Sequence, residues 1–242
     1  MQPDITLILP AFNEAATIAS TLAEVVRYFE AGGLRYEIVV AADGTDGTRS
    51  LVAALARDNP AIRVIGEDAR RGKGRGIREA VLISNGAVVG FADADNKVPI
   101  SEFDKIQPWL KQGCQVVTGS RGLRESRIER KQALYRRLGS KGFAVFMQAA
   151  IGLPGIVDTQ CGFKFFTREA ALELFCRQKI DGYMFDVEIL ALAQRLGYRI
   201  QQVPIRWRDD GDSRFAPLRG GLRNLIDILK IRFSLAQAGR AK

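Results

Sequence analysis

The sequence contains no histidine, and this absence restricts the chemistry that the protein can perform. It excludes Ser-His and Cys-His nucleophile pairs as well as histidine metal ligands, which leaves carboxylates as the candidate acids, bases and ligands. Cysteine is also scarce: Cys114, Cys161 and Cys176 are an odd number without a short spacing. They argue against a disulfide framework and a cysteine zinc site, and they fit a reducing compartment.

Long apolar runs are missing too. The longest apolar stretch, 143–157, is too short to span a bilayer and is interrupted by Gln148, Gly152, Pro154 and Gly155. The first residues lack a basic segment followed by an apolar region, so we expect no signal peptide. We therefore expect a cytoplasmic protein that does not cross a membrane, although it can lie on one.

Positive charge is abundant. The 36 lysines and arginines exceed the 27 acidic residues and give a net charge of +9. Nucleic acid, an anionic membrane surface and a phosphorylated substrate satisfy this excess equally well. The length of 242 residues fits one large domain with an appended subdomain.

Apolar runs alternate with amphipathic segments, which predicts an α/β fold with a mostly parallel sheet. Asn13 is expected to cap the first helix. The expected strands are 5–9, 37–42, 62–66, 87–92, 115–119, 162–166 and 198–207. The later expected helices are a short one at 101–109, then 134–148, 168–177, 185–196 and 218–235.

The tail helix is basic and amphipathic. It places apolar side chains on one face, at Leu222, Leu225, Ile226, Leu229 and Phe233. Such a helix either packs on the domain or rests on anionic lipid.

Asp93 and Asp95 follow the fourth expected strand, at the carboxyl end where ligands bind in open α/β sheets. A bend at the strand end lets both carboxylates reach one divalent ion, and hard oxygen ligands suit Mg²⁺ or Mn²⁺. The alternative is a pair of solvated turn residues. The residues thus predict a metal site for Asp93 and Asp95.

A glycine-rich basic segment at 72–76, with Lys73 and Arg75, precedes the third expected helix. Its backbone amides, its cations and the helix N-terminus could approach a diphosphate. The spacing is not that of a Walker loop, and a solvated flexible loop is the alternative.

A densely basic stretch, 124–141, lacks an apolar period and predicts a mobile loop. Apolar residues follow, such as Phe143, Phe146 and Ile151. They either line an apolar approach for a lipid chain or belong to the hydrophobic core. A nucleic-acid site would interleave aromatics with the basic residues, but the stretch has only Tyr135. We therefore expect no nucleic-acid partner.

The ordered set of motifs resembles the family-two inverting glycosyltransferases with a GT-A fold. The first half carries PAFNE at 10–14, the turn at Asp43, the glycine-rich segment and DAD at 93–95. The second half carries DTQCGFK at 158–164 and FDVE at 185–188, which resemble the dolichyl-phosphate glucosyltransferase branch. The resemblance runs from Ile5 to Trp207.

The resemblance implies a GT-A catalytic domain over 1–210, with a nucleotide-sugar half at 1–120, an acceptor half at 121–210 and a tail at 211–242. It implies catalytic roles for Asp95, Arg121, Asp186 and Glu188 and metal binding by Asp93 and Asp95. The residues implied around the nucleotide-sugar are Pro10, Phe12, Asn13, Glu14, Asp43, Lys73, Asp93 and Ala94. Those implied on the acceptor side are Arg121, Arg136, Lys141, Gln160 and Lys164.

The implied reaction is the transfer of a hexose, glucose from UDP-glucose, to a polyprenyl or dolichyl phosphate at a membrane surface. Two positions depart from the family pattern: Ala42 precedes Asp43, and Lys97 stands where related mannosyl enzymes carry a third metal ligand. Three alternatives stay open: another donor such as GDP-mannose or a non-lipid acceptor, a sugar nucleotidyltransferase, and a basic nucleic-acid-binding protein.

Overall fold

The computed structural model describes residues 2–129, 151–208 and 221–238. Its strands are β1 (Ile5–Phe12), β2 (Tyr36–Asp43), β3 (Ile62–Ile65), β4 (Val88–Ala92), β5 (Val116–Ser120), β6 (Arg127–Ile128), β7 (Phe163–Thr167), β8 (Ile200–Pro204) and β9 (Arg206–Trp207). Its helices are α1 (Ile18–Ala31), α2 (Thr48–Asp58), α3 (Lys73–Leu82), α4 (Gln107–Lys111), α5 (Arg168–Arg177), α6 (Phe185–Arg195) and α7 (Gly221–Ala238), with a 3-10 helix at Ile100–Lys105.

Seven strands form one sheet in the order β3-β2-β1-β4-β7-β5-β8. The neighbours of β1 and β2 are parallel, as is the β5–β8 pair, and this confirms the predicted α/β class with a mostly parallel sheet. Strand β7 lies antiparallel between β4 and β5. The sheet therefore joins strands from both halves of the sequence.

Apolar side chains cover both faces of this sheet. On one face Val39 and Phe91 pack with Leu190 of α6, and on the other Leu7 packs with Val25 of α1 and with Phe163. Because parallel strands are buried on both faces, their sequences read as nearly continuous apolar runs. These runs made the strands predictable.

Two predicted local features differ in the structure. Helix α1 begins at Ile18 with Thr17 as its N-cap residue, so the predicted cap at Asn13 is wrong. Asn13 has a φ of 55° instead, a conformation that asparagine tolerates better than most residues. The predicted strand at 198–207 is divided, because Ile205 separates β8 from β9, which pairs with β6.

Most of the predicted basic loop and the predicted helix at 134–148 fall within 130–150 and lie outside the described residues. None of the described helices is long and apolar enough to cross a lipid bilayer.

Candidate active site

Three segments that are far apart in the sequence meet at one edge of the sheet: 72–76, 93–95 and 158–162. Strands β1, β2 and β4 run in the same direction, so their carboxyl ends share this edge. Strand β7 runs the other way, and Phe163 at its start pairs with Ala92 at the end of β4. The 158–162 segment therefore lies beside Asp93, at the edge where open α/β sheets bind ligands.

Asp93 is held by contacts from two of these segments. Nζ of Lys73 lies 2.5 Å from Oδ1 of Asp93, and the Asp93 amide N–H donates to the carbonyl oxygen of Gly162 at 3.0 Å. A Cβ atom on Gly162 would overlap the Asp93 carboxylate. This role of Gly162 is absent from the sequence-based predictions, although a glycine inside a narrow motif is a signal for such a close approach.

Asp95 lies next to the same cluster. Its Oδ1 accepts the Lys97 amide N–H at 3.3 Å, and Nζ of Lys97 lies 3.3 Å from its Oδ2. Burial raises the pKa of Asp95, and the nearby Asp93 carboxylate raises it further while Lys97 opposes both. Lys97 is therefore a counter-charge for Asp95, in agreement with its inability to bind a metal while protonated.

The two aspartates satisfy the chemistry of a site for a hard divalent cation. The side chains of Asp93 and Asp95 are 41% and 35% exposed, and their charges influence each other. Within the described ranges, no group of three or more acidic, histidine or cysteine side chains is arranged to hold a metal ion. From the part of the chain that the structure describes, a metal here would thus take two carboxylates, those of Asp93 and Asp95.

Lys73 carries a stable positive charge at this edge. Burial alone would lower the pKa of Lys73, but the carboxylates of Asp93 and Asp186 outweigh burial and raise the pKa. Lys73 is therefore a fixed cation beside the candidate metal ligands.

Lys164 and Asp186 form an ion pair below the exposed edge. Nζ of Lys164 lies 2.5 Å from Oδ1 of Asp186 and 2.6 Å from the carbonyl oxygen of Cys161. The two side chains are 0% and 4% exposed. Burial raises the pKa of Asp186, whereas Lys164 and Lys73 oppose that rise. Their implied acceptor and catalytic roles stay predictions.

Arg121 follows β5 and forms a bidentate pair with Asp158. Its Nε and Nη2 donate to the two carboxylate oxygens at 2.8 and 2.9 Å, and its amide N–H donates to Oδ2 at 2.9 Å. Burial would raise the pKa of Asp158, but Arg121 lowers it below its usual range. The Gln160 amide also donates to Asp158, at 3.2 Å, so Asp158 organises the turn that carries the predicted acceptor residues.

Two residues implied around the nucleotide form turns at the same edge. Oδ1 of Asn13 accepts the Thr45 amide N–H at 3.3 Å. The carboxylate of Asp43 accepts the amide N–H of Arg71 at 2.8 Å and that of Glu67 at 3.4 Å. Asp43 therefore holds the loop that leads to the glycine-rich segment, and base reading by Asp43 stays a prediction.

The other implied donor residues lie close by. Pro10 and Phe12 belong to β1, and the guanidinium of Arg70 stacks on the Phe12 ring at 4.3 Å. Glu14 accepts the Thr17 hydroxyl at 3.0 Å, and the buried Ala94 accepts that of Thr21 at 2.8 Å through its carbonyl oxygen.

Among the described residues, Glu188 makes its contacts away from Asp93 and Asp95. It lies in α6, where its carboxylate accepts the amide N–H groups of Lys179 and Ile180. Arg136 and Lys141 lie outside the described residues.

The chain is similar to known sequences and folds. It is 34% identical to a dolichyl-phosphate beta-glucosyltransferase of Trichomonas vaginalis, with 93% of this chain and 70% of the relative covered. It is 33% identical to one of Dictyostelium discoideum, with 95% and 74% covered. The human one is 31% identical, with 94% and 74% covered.

Two solved structures share the fold at 23% identity. Mannosyl-3-phosphoglycerate synthase of Rubrobacter xylanophilus superposes with a TM-score of 0.71 and covers 98% of this chain and 75% of its own. Glucosyl-3-phosphoglycerate synthase of Mycobacterium tuberculosis, in complex with Mn²⁺, UDP and phosphoglyceric acid, gives 0.68 with 96% and 78% covered. The glycosyl transferase family 2 profile matches residues 6–175, and the chain belongs to that family.

Proposed function

We propose that this protein transfers glucose from UDP-glucose to dolichyl or another polyprenyl phosphate, with inversion at the anomeric carbon. The names of relatives at 31–34% identity support this substrate pair. The structural observation that carries the proposal is the contact of Asp93 with Gly162, because it brings the donor motif and the acceptor motif to one sheet edge.

Asp93 and Asp95 would hold a divalent cation, Mg²⁺ or Mn²⁺, and water and diphosphate oxygens would complete its shell. A cation bound there stabilises the negative charge that develops on the leaving diphosphate. The presence of Mn²⁺ and UDP together in the M. tuberculosis neighbour agrees with this.

The reaction is an in-line displacement in which one bond forms as another breaks. An oxygen of the lipid phosphate bonds to the anomeric carbon, and the bond from that carbon to the diphosphate breaks, with its electron pair leaving on UDP. A phosphate monoester has a second pKa of about 6, so the nucleophile is already ionised near neutral pH. The reaction needs no histidine base, in keeping with a sequence that has none.

The cations of the site would separate and align the two anionic reactants. Lys73 would contact the donor diphosphate. Arg121 uses two of its five N–H donors for the carboxylate of Asp158, and the others would bind the acceptor phosphate.

The remaining assignments follow the same division of the cleft. We assign residues 1–210 to one catalytic domain with a donor half and an acceptor half. Around the nucleotide-sugar we place Pro10, Phe12, Asn13, Glu14, Asp43 and Ala94. Around the acceptor we place Arg136, Lys141, Gln160, Lys164, Asp186 and Glu188.

Transfer of label into an organic phase tests the proposed reaction. The protein is incubated with labelled UDP-glucose or GDP-mannose, Mn²⁺ or Mg²⁺, and either a short polyprenyl phosphate or 3-phosphoglyceric acid. A separate incubation contains UTP and glucose 1-phosphate. We expect organic-extractable label from UDP-glucose only. Label recovered on 3-phosphoglyceric acid instead, or release of pyrophosphate from UTP and glucose 1-phosphate, would replace the proposal by one of the alternatives.

The matched variants Asp95→Asn and Asp58→Asn test the metal assignment. Both remove one carboxylate charge, but Asp58 is exposed at the last residue of α2. We expect Asp95→Asn to abolish transfer while circular dichroism stays unchanged, and Asp58→Asn to keep full activity. Retained turnover of Asp95→Asn at saturating metal refutes the assignment.

We assign the protein to the cytoplasmic face of a membrane, and helix α7 supports the peripheral part of this assignment. Ile228, Ile231 and Leu235 pack against the core. At 100° per residue, Ile226, Leu229 and Phe233 fall on the opposite face, where they are 45%, 50% and 69% exposed. The exposed face is the one that the sequence pattern predicted, while the side chains of Leu222 and Leu225 lie outside the described residues.

Basic side chains accompany this exposed apolar face. Lys230 and Arg232 are exposed beside Leu229 and Phe233. Apolar side chains flanked by cations bind the headgroup region of anionic bilayers. We therefore assign the exposed face of α7 to a lipid surface, which is where a polyprenyl phosphate is found.

Sedimentation with vesicles of phosphatidylcholine and phosphatidylserine tests this surface. The variant Phe233→Asp should lower the bound fraction several-fold, because it places an anion where the acyl boundary would lie. Leu82→Asp is the control, since Leu82 is 46% exposed at the end of α3. Equal sedimentation of both variants and the wild type refutes the assignment to α7.

A further inference from the structure

We propose that the loop 178–181, held by Glu188, is a positioning element that fixes Lys73 against the donor diphosphate. The proposal rests on the proposed function, in which Lys73 contacts the donor. It assigns Glu188, Asp181 and Arg78 to positioning and not to contact with the reacting atoms.

Two glycines at the start of α3, Gly72 and Gly74, lie in close contact with this loop. Gly72 has a φ of 116°, and a Cβ atom there would overlap the carbonyl oxygen of Asp181. A Cβ atom on Gly74 would lie 2.7 Å from the carbonyl oxygen of Ile180 and 2.6 Å from Cβ of Phe185. Both neighbours of Lys73 therefore pack directly on the acceptor half, and this close packing accounts for the glycines.

Hydrogen bonds tie the same two segments together. The Arg75 amide N–H donates to the carbonyl oxygen of Asp181 at 3.2 Å. Nη2 of Arg78 donates to Oδ1 of Asp181 at 2.8 Å, and its Nη1 donates to the carbonyl oxygen of Gln178 at 3.3 Å. Three bonds thus join the first two turns of α3 to the loop.

Glu188 holds the loop from its other side. Its Oε1 accepts the Lys179 amide N–H at 3.0 Å, and its Oε2 accepts the Ile180 amide N–H at 2.8 Å. Glu188 is fully buried, and burial raises its pKa while these amides oppose the rise. A buried carboxylate bound to two backbone amides sets the course of the loop.

The position of Lys73 follows from these contacts. Lys73 lies between Gly72 and Gly74, so its backbone cannot move without moving the loop. Its ammonium reaches Asp93 at 2.5 Å, the residue on which the proposed metal and diphosphate converge. Small displacements of a positioned charge are costly in such sites. The acceptor half therefore determines where the donor half presents its lysine.

A double-mutant cycle on UDP affinity tests this coupling. Isothermal titration with UDP and Mn²⁺ is performed on the wild type, Lys73→Met, Arg78→Met and the double variant. Arg78→Met should weaken UDP binding at least about fivefold in the wild-type background and should have no further effect once Lys73 is absent. An equal loss in both backgrounds, or no loss in either, overturns the proposal.

Control variants separate positioning from general destabilisation. Glu79→Gln removes the Arg75–Glu79 pair on the same helix without touching the loop, and it should leave UDP affinity unchanged. Arg78→Lys should restore part of the affinity. If Arg78→Met does not fold, Asp181→Asn removes the same ion pair at a half-exposed position, and the same cycle decides. Failure of the wild type to bind UDP with Mn²⁺ would instead refute the proposed function.

Discussion

The proposed donor side and the proposed acceptor side use the same chemistry, lysine paired with aspartate, in different environments. The carboxylates of Asp93 and Asp95 are 41% and 35% exposed, although their partners Lys73 and Lys97 are only 17% and 13% exposed. Lys164 and Asp186 are 0% and 4% exposed. A partly exposed carboxylate can be reached by a ligand, whereas a fully buried pair is costly to break. The Asp93 and Asp95 pairs are therefore the ones open to a ligand, and the Lys164–Asp186 pair is structural.

Arg121 and Asp158 lie between these extremes. Asp158 is nearly buried, and the Arg121 side chain is about one-third exposed. The guanidinium is fixed by Asp158 and lies 5.7 Å from the centre of the Trp207 ring, and the proposal assigns its remaining donors to the acceptor phosphate. Arg121 is therefore fixed by an ion pair and still partly exposed.

Lys164→Met should have the largest effect on folding. It leaves the buried carboxylate of Asp186 without its partner, which costs about 3–5 kcal/mol of the free energy of unfolding. Urea denaturation measures the loss. The double variant Lys164→Met, Asp186→Leu should be more stable than the single variant, because it removes the unpaired charge. A single variant as stable as the wild type would show that the acceptor side is not organised by this pair.

Asp158→Asn should cost less, about 1–3 kcal/mol, since Arg121 keeps access to solvent. The pKa of Asp158 is lowered in the folded protein, so its contribution is present above the unfolded pKa of about 3.9 and is lost as pH falls through the folded pKa. Urea denaturation between pH 3 and 6 should show a shallower loss of stability for Asp158→Asn. If the free energy of unfolding changes with pH equally in the wild type and in Asp158→Asn, the Arg121–Asp158 pair does not stabilise the fold.

Gly162→Ala should separate activity from stability. The added Cβ overlaps the Asp93 carboxylate, which is partly exposed and can move aside. We expect stability to fall by no more than about 1–3 kcal/mol, while transfer falls about 100-fold because the carboxylate proposed to bind the metal is displaced. The control is Gly182→Ala, since Gly182 does not have a positive φ and a Cβ there would lie 3.7 Å from Oδ2 of Asp227, which is an ordinary van der Waals contact. Equal activity of the two variants contradicts the role of Gly162.

The smallest effect concerns thiol labelling. Cys114 and Cys161 are buried and Cys176 is exposed. Burial, with Asp158 nearby, raises the pKa of Cys161 to about 12, so its thiolate is scarce at pH 8. Mass spectrometry of the native protein after brief maleimide treatment should show one added group, on Cys176. Fast labelling of Cys161 would mean that the acceptor side opens to solvent.

The positions of the strands, and therefore of the residues that follow their carboxyl ends, were predictable because buried parallel strands have nearly continuous apolar sequences. The antiparallel placement of β7 was not, since its five residues carry no signal for direction, and its partners β4 and β5 are far away in sequence. Asn13 was misassigned because asparagine favours both helix caps and left-handed turns. Only the fold decides between them.

The candidate site residues were chosen from sequence motifs, but the residues that bind them in the structure were not predicted. Nothing in the sequence indicates that Asp158 binds Arg121 or that Glu188 binds the amides of Lys179 and Ile180. Such pairs join residues 8 to 37 positions apart through loops whose course the apolar pattern does not determine. The sequence therefore indicated the candidate residues but not the residues that hold them in place.

A crystal structure with Mn²⁺ and UDP tests the central claim most directly. The account predicts the ion between the carboxylates of Asp93 or Asp95 and the diphosphate, with Lys73 on a diphosphate oxygen and the lysine–aspartate pair at Lys164 unchanged. Nucleotide or ion bound away from this sheet edge, with both aspartates still paired only to their lysines, would contradict it.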